Sequence, residues 1–161
     1  SPMTKALKYP LLLGMIFSFT SLPAQEAGIR WLSFEQLEDS LAIAPKKVFV
    51  DFYAEWCEYC KKMDRVTFRD PEVIASLNRD FYAVRMNVET TDTIVFDGPA
   101  YINREFGKKR NPVHEIPLQL ASREGLPFSL PAIVILDESF RIRKRYFEYI
   151  PPNGMRELLK K

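Results

Sequence analysis

The sequence predicts an α/β domain, in which helices cover both faces of a mixed sheet that ends in a C-terminal antiparallel hairpin. Two short runs, Lys47–Tyr53 and Pro131–Asp137, are almost entirely apolar and rich in β-branched or aromatic residues, as in strands buried on both faces. Helical stretches alternate with such runs, and two strands follow each other directly near the C-terminus. With 161 residues, 47% of them apolar, the chain is long enough to bury one core of its own.

The first half of the chain contains three predicted strands and three predicted helices. Ser33 and Gln36 form a capping box, which predicts a helix that Pro45 ends, and Asp70-Pro71 is a typical start of another helix. In chain order these elements are a strand at Ile29–Leu32, a helix from Ser33, a strand at Lys47–Tyr53, a helix from Cys57 to Phe68, a helix ending at Leu77, and a strand at Phe81–Val88.

Residues 89–112 are polar, charged and punctuated by Gly and Pro, and they end in Lys108-Lys109-Arg110. The segment is too long for an ordinary connection in a compact domain. We therefore expect an insertion after the second core strand, either functional or merely added, with a short helix near Tyr101–Phe106.

The second half of the chain predicts a helix, two adjacent strands and a last helix. Arginines at 141, 143 and 145 alternate along the last strand, as in an anion contact or in a charged solvent face that protects an edge strand, and we favour the edge strand. In chain order these elements are a helix at His114–Ser122, strands at Pro131–Asp137 and Phe140–Tyr149, and a helix from Pro151-Pro152 to Leu159.

The first 24 residues have the pattern of a signal peptide. Lys5 and Lys8 give a positive start, Leu11–Phe19 is apolar, and small residues near Ala24 offer a cleavage point. The apolar run is shorter than the roughly 20 residues that span a bilayer, and an uncleaved anchor is the alternative. Taking Ser1-Pro2 as a remnant of expression, we expect remnant and signal peptide over 1–24, one domain over 25–161, and a periplasmic or secreted mature protein.

The charges of the chain are balanced. Lys and Arg number 23 against 21 Asp and Glu, and two of the lysines lie in the first 24 residues. Residues 25–161 therefore have no basic excess of the kind that binds nucleic acid, and we exclude that class of partner.

Both cysteines of the chain, Cys57 and Cys60, lie between a buried strand and a helix. Their spacing places both sulfurs on one face of the first helical turn, within reach of a disulfide. The positive end of a helix favours the thiolate at Cys57, so we expect Cys57 to attack a disulfide and Cys60 to resolve the mixed disulfide.

Three other uses of the pair are weaker. A closed zinc site needs about four ligands, but the chain offers two cysteines and one histidine. Haem attachment needs a histidine where Lys61 stands, and a structural disulfide that closes so small a loop would constrain little. We expect no metal and no cofactor.

Asp51 is unusual because it lies inside the apolar strand Lys47–Tyr53. Burial would raise the pKa of its carboxyl, which suits a group that moves protons near a thiol, whereas a place at the wet end of the strand is the alternative. The single histidine, His114, has no partner motif, so we expect a capping or surface role for it.

The segment Val50–Lys61, with the pattern Asp51-Phe-Tyr-Ala-Glu-Trp-Cys-x-x-Cys-Lys, resembles the active-site segment of the thioredoxin superfamily. The continuation through Asp64 and Thr67–Val73 is similar to the C-terminal thioredoxin-like domain of the bacterial transmembrane thiol–disulfide interchange reductase, and to small secreted thioredoxin-like proteins. The resemblance covers roughly Lys47 to Leu159 outside residues 89–112, and it implies the thioredoxin fold.

The resemblance also implies roles for individual residues. Cys57 matches the nucleophile, Cys60 the resolving thiol, and Asp51 the buried acid that handles the proton of the resolving thiol. Arg85 departs from the lysine that thioredoxins often have near this acid, so the tuning of the acid is open.

Three further positions match the substrate-binding part of the family's site. Trp56 matches the ring beside the disulfide, and Pro131 matches the cis-proline that faces it. Leu130 would then offer main-chain hydrogen bonds to a bound substrate strand.

The dipeptide Glu58-Tyr59 differs from those of thioredoxin and of the strong oxidant, and we expect it to tune the redox potential. Glu58 disfavours a thiolate at Cys57 by like charge, and a less stabilised thiolate makes a better reductant. We therefore predict a monomeric protein-disulfide reductase. Its partners would be disulfide-bearing exported proteins and an upstream membrane thiol–disulfide reductase that donates electrons. The alternatives are a disulfide oxidase or isomerase, or a binding or chaperone-like module that acts through residues 89–112.

Overall fold

The computed structural model of the protein describes residues 27–161, so the predicted signal peptide lies outside the described residues. Among residues 27–161, no helix has the length and apolar character needed to cross a membrane. The strands are β1 (Trp31–Leu32), β2 (Lys47–Tyr53), β3 (Phe81–Asn87), β4 (Ile94–Val95), β5 (Ala100–Tyr101), β6 (Ala132–Leu136) and β7 (Ile142–Tyr146). The α-helices are α1 (Phe34–Ile43), α2 (Glu58–Arg65), α3 (Pro71–Asp80), α4 (Glu115–Ala121) and α5 (Pro152–Leu159).

Five of the strands form the central sheet in the order β1-β3-β2-β6-β7. Both β1 and β2 run parallel to β3, whereas β6 pairs antiparallel with β2 and β7 antiparallel with β6. The predicted mixed sheet with a C-terminal hairpin is therefore confirmed. The arginine-rich β7 is the edge strand, as expected, and it is largely exposed.

The central strand β2 is buried along its length and divides the core in two, because successive side chains of a strand point to opposite faces. Val48, Val50 and Phe52 belong to the cluster that includes residues of α1 and α4. Phe49 belongs to the cluster formed with α2, α3 and α5. By the same alternation Asp51 faces the α2 side of the sheet, which is the side of the cysteine pair.

The helix predicted from Cys57 to Phe68 is interrupted. Helix α2 ends at Arg65, and a separate 3₁₀ turn covers Thr67–Arg69. The buried Thr67 hydroxyl donates a 2.6 Å hydrogen bond to the main-chain carbonyl of Ile150, a contact that ties the turn to the segment before α5. This tertiary contact overrides the local preference for a continuous helix.

The prediction of a short helix near Tyr101–Phe106 is wrong. Of that range only Tyr101 lies in a regular element, the strand β5, and residues 104–108 form turns. Strands β4 and β5 pair antiparallel just before it, around a turn at Asp97-Gly98 whose two residues have positive φ angles of 52° and 100°. Aspartate and glycine tolerate this left-handed conformation better than most residues, so the turn chemistry favours a hairpin over a helix.

The insertion leaves and rejoins the rest of the fold beside β2. The N–H group of Val88 donates to the Tyr53 carbonyl, and the Val88 carbonyl accepts from the N–H group of His114, both at 2.8 Å. The fully buried His114 caps α4 by accepting from Ile116 N–H at Nδ1. Because Nδ1 accepts, Nε2 carries the proton and donates to the Asp92 carbonyl at 2.9 Å. The predicted capping role is confirmed, but the side chain is not on the surface.

Candidate active site

The cysteine pair lies at the N-terminus of α2, directly after the loop that leaves β2. Cys57 is the N-cap residue of the helix, and it is joined to Cys60 by a disulfide with a Cα–Cα distance of 5.2 Å. The main-chain N–H of Cys60 donates to Cys57 Sγ at 3.2 Å. Both cysteines are almost completely buried, at 4% and 3% exposure.

This position favours charge on the Cys57 sulfur once the disulfide is reduced. The first turn of a helix has N–H groups without intrahelical partners and a partial positive charge. One of these groups, that of Cys60, already points at the Cys57 sulfur. A thiolate here would gain a hydrogen bond and a favourable field, which lowers the pKa of a thiol.

Asp51 lies in the middle of β2 and is only 1% exposed, so it is not at a solvent-exposed end of the strand. Burial without water raises the pKa of its carboxyl from 3.8 to about 7, although the nearby Arg85 guanidinium acts to lower it. One carboxylate oxygen, Oδ1, has no hydrogen-bond partner among residues 27–161. The carboxyl is therefore poised to take up or release a proton near neutral pH.

Arg85 is the register partner of Asp51 on β3, and its Nε lies 3.6 Å from Asp51 Oδ2. The guanidinium is held from two other sides, by a 2.5 Å ion pair with Asp64 and by stacking 4.3 Å above the Tyr53 ring. An open pocket of about 270 Å³ lies against this group and against Cys60. Sequence analysis noted Asp64 only within the resembling segment and gave it no role.

Trp56 precedes the disulfide and is half exposed, and its indole N–H donates to Glu89 Oε1 at 3.0 Å. Glu89 is the first residue of the insertion, and sequence analysis did not identify it. The Leu130–Pro131 peptide bond is cis, the geometry implied by the family resemblance, and Pro131 is buried. Trp56 and Leu130 line the same pocket.

The two residues between the cysteines, Glu58 and Tyr59, point into solvent. Glu58 is 79% exposed and forms a 3.4 Å ion pair with Lys61, which weakens the field of its carboxylate at Cys57. The Tyr59 ring lies 6.3 Å from the ring of Tyr149 on the same surface. No group of three or more His, Cys, Asp or Glu side chains within residues 27–161 has the arrangement of a metal site.

Comparison with known proteins matches the sequence to a family model described as Thioredoxin-like over residues 30–137, which is more than half of the chain. Two relatives are named thiol:disulfide interchange protein DsbD. The one from Vibrio vulnificus strain YJ016 is 38% identical over 69 residues, covering 39% of this chain and 12% of the relative. The one from Campylobacter jejuni strain RM1221 is 32% identical over 87 residues, covering 48% of this chain and 15% of the relative. The matched region is thus a small part of these longer proteins.

Solved structures share the fold at low sequence identity. A protein described as DsbH oxidoreductase superposes with a TM-score of 0.58 at 16% identity, covering 87% of this chain and 88% of its own. A thioredoxin from Thermus thermophilus gives 0.55 at 23% identity, covering 83% and 85%. The reduced C-terminal domain of Neisseria meningitidis DsbD gives 0.50 at 19% identity, covering 78% and 90%.

A bonded cysteine pair with this spacing, at the start of the helix that follows the central strand, supports thiol–disulfide oxidoreductase chemistry. The family model agrees with that site, and the sheet order and the solved neighbours agree with the fold. The chain belongs to the thioredoxin-like family.

Proposed function

We propose that the protein is a thiol–disulfide oxidoreductase that reduces or reshuffles disulfides of exported proteins, and that it works mainly as a reductase. The observation that carries the proposal is the Cys57–Cys60 disulfide at a helix N-terminus, on the sheet face that also holds the buried carboxyl of Asp51. Any structural role for so short a loop would be small, because closing it removes little freedom from the unfolded chain.

The reaction begins with the reduced protein. The Cys57 thiolate attacks one sulfur of the substrate disulfide, and the other substrate sulfur leaves as a thiolate that takes a proton from solvent. Cys60 passes its thiol proton to the Asp51 carboxylate and attacks Cys57 Sγ in the mixed disulfide. The second substrate sulfur leaves and takes the proton from Asp51. Two electrons have then moved to the substrate, which holds two thiols, while the protein holds the Cys57–Cys60 disulfide.

Asp51 suits this proton transfer because its pKa is raised to about 7 by burial. A base works best when its pKa lies near the working pH, where it can both accept and return a proton. An ordinary exposed aspartate, with a pKa near 3.9, would be a far weaker base for a thiol.

The substrate would bind as an extended segment against the loop before β6. The main chain of Leu130 makes no main-chain hydrogen bond with any residue from 27 to 161, so its groups are free to pair with a bound strand. Such strand addition holds a partner by its backbone and accepts many sequences.

The direction of electron flow rests on Glu58, whose negative charge acts against a thiolate at Cys57, although solvent and the ion pair with Lys61 reduce this effect. A reductase must itself be reduced again, and we propose a membrane thiol–disulfide reductase as its electron donor. We further propose that residues 1–24 are removed on export and that the mature protein acts as a monomer in the periplasm or outside the cell. The mass of the exported protein tests the cleavage.

The first test is the reduction potential of the cysteine pair, measured by equilibrating the protein with glutathione buffers of known ratio. Thioredoxin-fold proteins range from about −270 mV for thioredoxin to about −120 mV for the strong oxidant DsbA. A value near the low end supports the reductase. A value near the high end would show an oxidase or isomerase and refute our interpretation of Glu58.

Three variants test the assignment of the residues. Cys57→Ser should abolish exchange with a protein disulfide, whereas Cys60→Ser should accumulate the mixed disulfide with the substrate. Glu58→Gln should lower the pKa of the Cys57 thiol. Glu35→Gln is the matched control, because Glu35 also lies in the first turn of a helix and is exposed. Full partner binding by Cys57→Ser without exchange would favour the binding-module alternative.

A further inference from the structure

A pocket of about 430 Å³ is lined by Trp56, the residue before Cys57, and the insertion forms one of its walls. Leu130, whose main chain would pair with the substrate in the proposed function, also lines the pocket. The remaining lining comes from α4 and from the loop between α4 and β6. A plain sheet-and-helix core without residues 89–112 would lack the insertion's side of this pocket, so its shape is specific to this chain.

The charged side chains that line the pocket already have partners within the protein. Glu89 accepts from the indole of Trp56. Glu105 accepts from Lys109 at 2.8 Å through one oxygen and from the N–H of Val113 at 3.1 Å through the other. The charges of Glu105 and Lys109 therefore offset each other, whereas Glu89 keeps its negative charge because its indole partner is neutral, so the lining disfavours an acidic side chain.

The rest of the lining is mainly apolar. Leu126, at the mouth, is 54% exposed, and Trp56 is 52% exposed. Covering such surface is favourable by about 25 cal/mol per Å², so an apolar side chain gains more here than a polar one. The apolar lining that matters for this argument consists of Trp56, Val113, Leu118, Leu126, Phe128 and Leu130.

The position of the pocket fixes which part of a substrate can reach it. A segment that forms a mixed disulfide with Cys57 must turn its cysteine toward the protein. In an extended segment, side chains two residues apart face the same side, about 7 Å apart, while the residue between them faces away. Because Trp56 in the pocket wall is adjacent to Cys57, we assign the pocket to the nearest side chain on the same side of the segment, two positions from the substrate cysteine.

We propose that this pocket is a specificity subsite for an apolar side chain two residues from the reacting cysteine of an extended substrate. The inference rests on the proposed function and deepens it, because it gives the insertion a role in substrate choice. Glu89 supports the subsite as a positioning residue, since its hydrogen bond orients the Trp56 ring that forms one wall.

The test uses the reduced full-length protein and three cysteine peptides presented as disulfide-linked dimers of equal net charge. The first has leucine two positions before and after the cysteine, the second has serine there, and the third has leucine only at the adjacent positions. Exchange rates are followed by tryptophan fluorescence. We expect the first peptide to react about tenfold faster than the other two, which corresponds to about 1.4 kcal/mol.

Two variants locate the preference. Leu126→Ser removes an exposed apolar wall of the pocket, and it should reduce the tenfold preference to about threefold or less. Ile43→Ser makes a similar change at the end of α1, where the side chain is 86% exposed and does not line this pocket, so the preference should stay at its original value.

Equal rates for the first two peptides would overturn the subsite, and so would a preference that survives Leu126→Ser. Faster reaction of the third peptide would refute the extended register. If the folded protein exchanges with none of the peptides and not with glutathione disulfide, the proposed function itself fails, which is a different result from exchange without selectivity.

Discussion

Replacing Asp51 with asparagine should stabilise the oxidised protein in a strongly pH-dependent way. The folded protein holds the Asp51 proton up to a pKa of about 7, whereas the unfolded chain releases it near 3.8. The folded state therefore binds more protons between these values, and raising the pH through this window destabilises the wild-type fold. The free energy of unfolding of the wild type falls by about 1.4 kcal/mol for each pH unit across this window. The total loss is roughly 4 kcal/mol once the pH exceeds 7.

Asparagine has nearly the shape of the protonated carboxyl but cannot ionise. At pH 4 the variant and the wild type should have similar free energies of unfolding. By pH 8 the variant should be more stable by up to about 4 kcal/mol, a figure that already includes the attraction of the Arg85 guanidinium 3.6 Å away, because that attraction lowers the pKa of Asp51. The variant should also slow the step in which Cys60 resolves the mixed disulfide.

The assay is guanidinium unfolding of the oxidised protein at half-unit steps from pH 4 to pH 9, with the two proteins compared at each pH. Because only the difference is used, groups that titrate in both proteins cancel. Asp39→Asn, the same change at an exposed position of α1, serves as the control for the substitution itself. A stability difference that does not change with pH, or one that favours the wild type at pH 8, would refute the reasoning.

Three other substitutions test separate contacts. Arg85→Met should raise the pKa of Asp51 further, because it removes the cation that lowers it, and a carboxyl titration by NMR would show this, with Arg85→Lys closer to wild type. His114→Ala should destabilise the protein by about 2 kcal/mol or more, because it removes the cap of α4 and opens a cavity. His114→Asn should keep part of the cap. If both variants unfolded thermally at the wild-type midpoint, the role given to this side chain would be contradicted. Thr67→Val should cost about 1–3 kcal/mol in urea unfolding, because it leaves the buried carbonyl of Ile150 without its donor, and an unchanged midpoint would show that this bond contributes nothing net.

The strand β2 could be predicted to the residue because its apolar run is bounded by charged and small residues on both sides. The same run made Asp51 conspicuous, since a carboxylate inside it has no local reason to be there. The cysteine pair was equally clear, because its position after a strand and before a helix follows from local sequence alone. These parts of the site depend on short-range information.

The parts that sequence analysis missed depend on contacts between distant residues. The break after α2 follows from the bond between Thr67 and Ile150, which are 83 residues apart in the chain. Asp64 and Glu89 reach the site through partners 21 and 33 residues away. No local pattern reveals such pairs.

Two errors of detail have different causes. The hairpin in the insertion could have been found, because Asp97-Gly98 is a known turn signal between two strand-like pairs. The late start of β7 could not, because Phe140 adopts a positive φ of 59°, which a bulky residue seldom does. The usual backbone preference of the residue type predicts the turn at Asp97 correctly, but it predicts the wrong backbone conformation for Phe140.

The insertion, residues 89–112, lies between two residues that are hydrogen-bonded to each other, so its length could change without moving the strand β2. The chain leaves at Val88 and returns at His114, and these two residues are hydrogen-bonded to each other next to the end of β2. The entropy of closing a loop grows slowly, by about 0.6 kcal/mol for each doubling of its length. A longer or shorter segment could therefore be grafted between the same two residues while β2 keeps the cysteine pair in place, provided that it keeps an apolar side chain where Ile94 enters the core and a carbonyl acceptor for His114. With the subsite proposed above, substrate choice could then change within one fold while the cysteine pair stays the same.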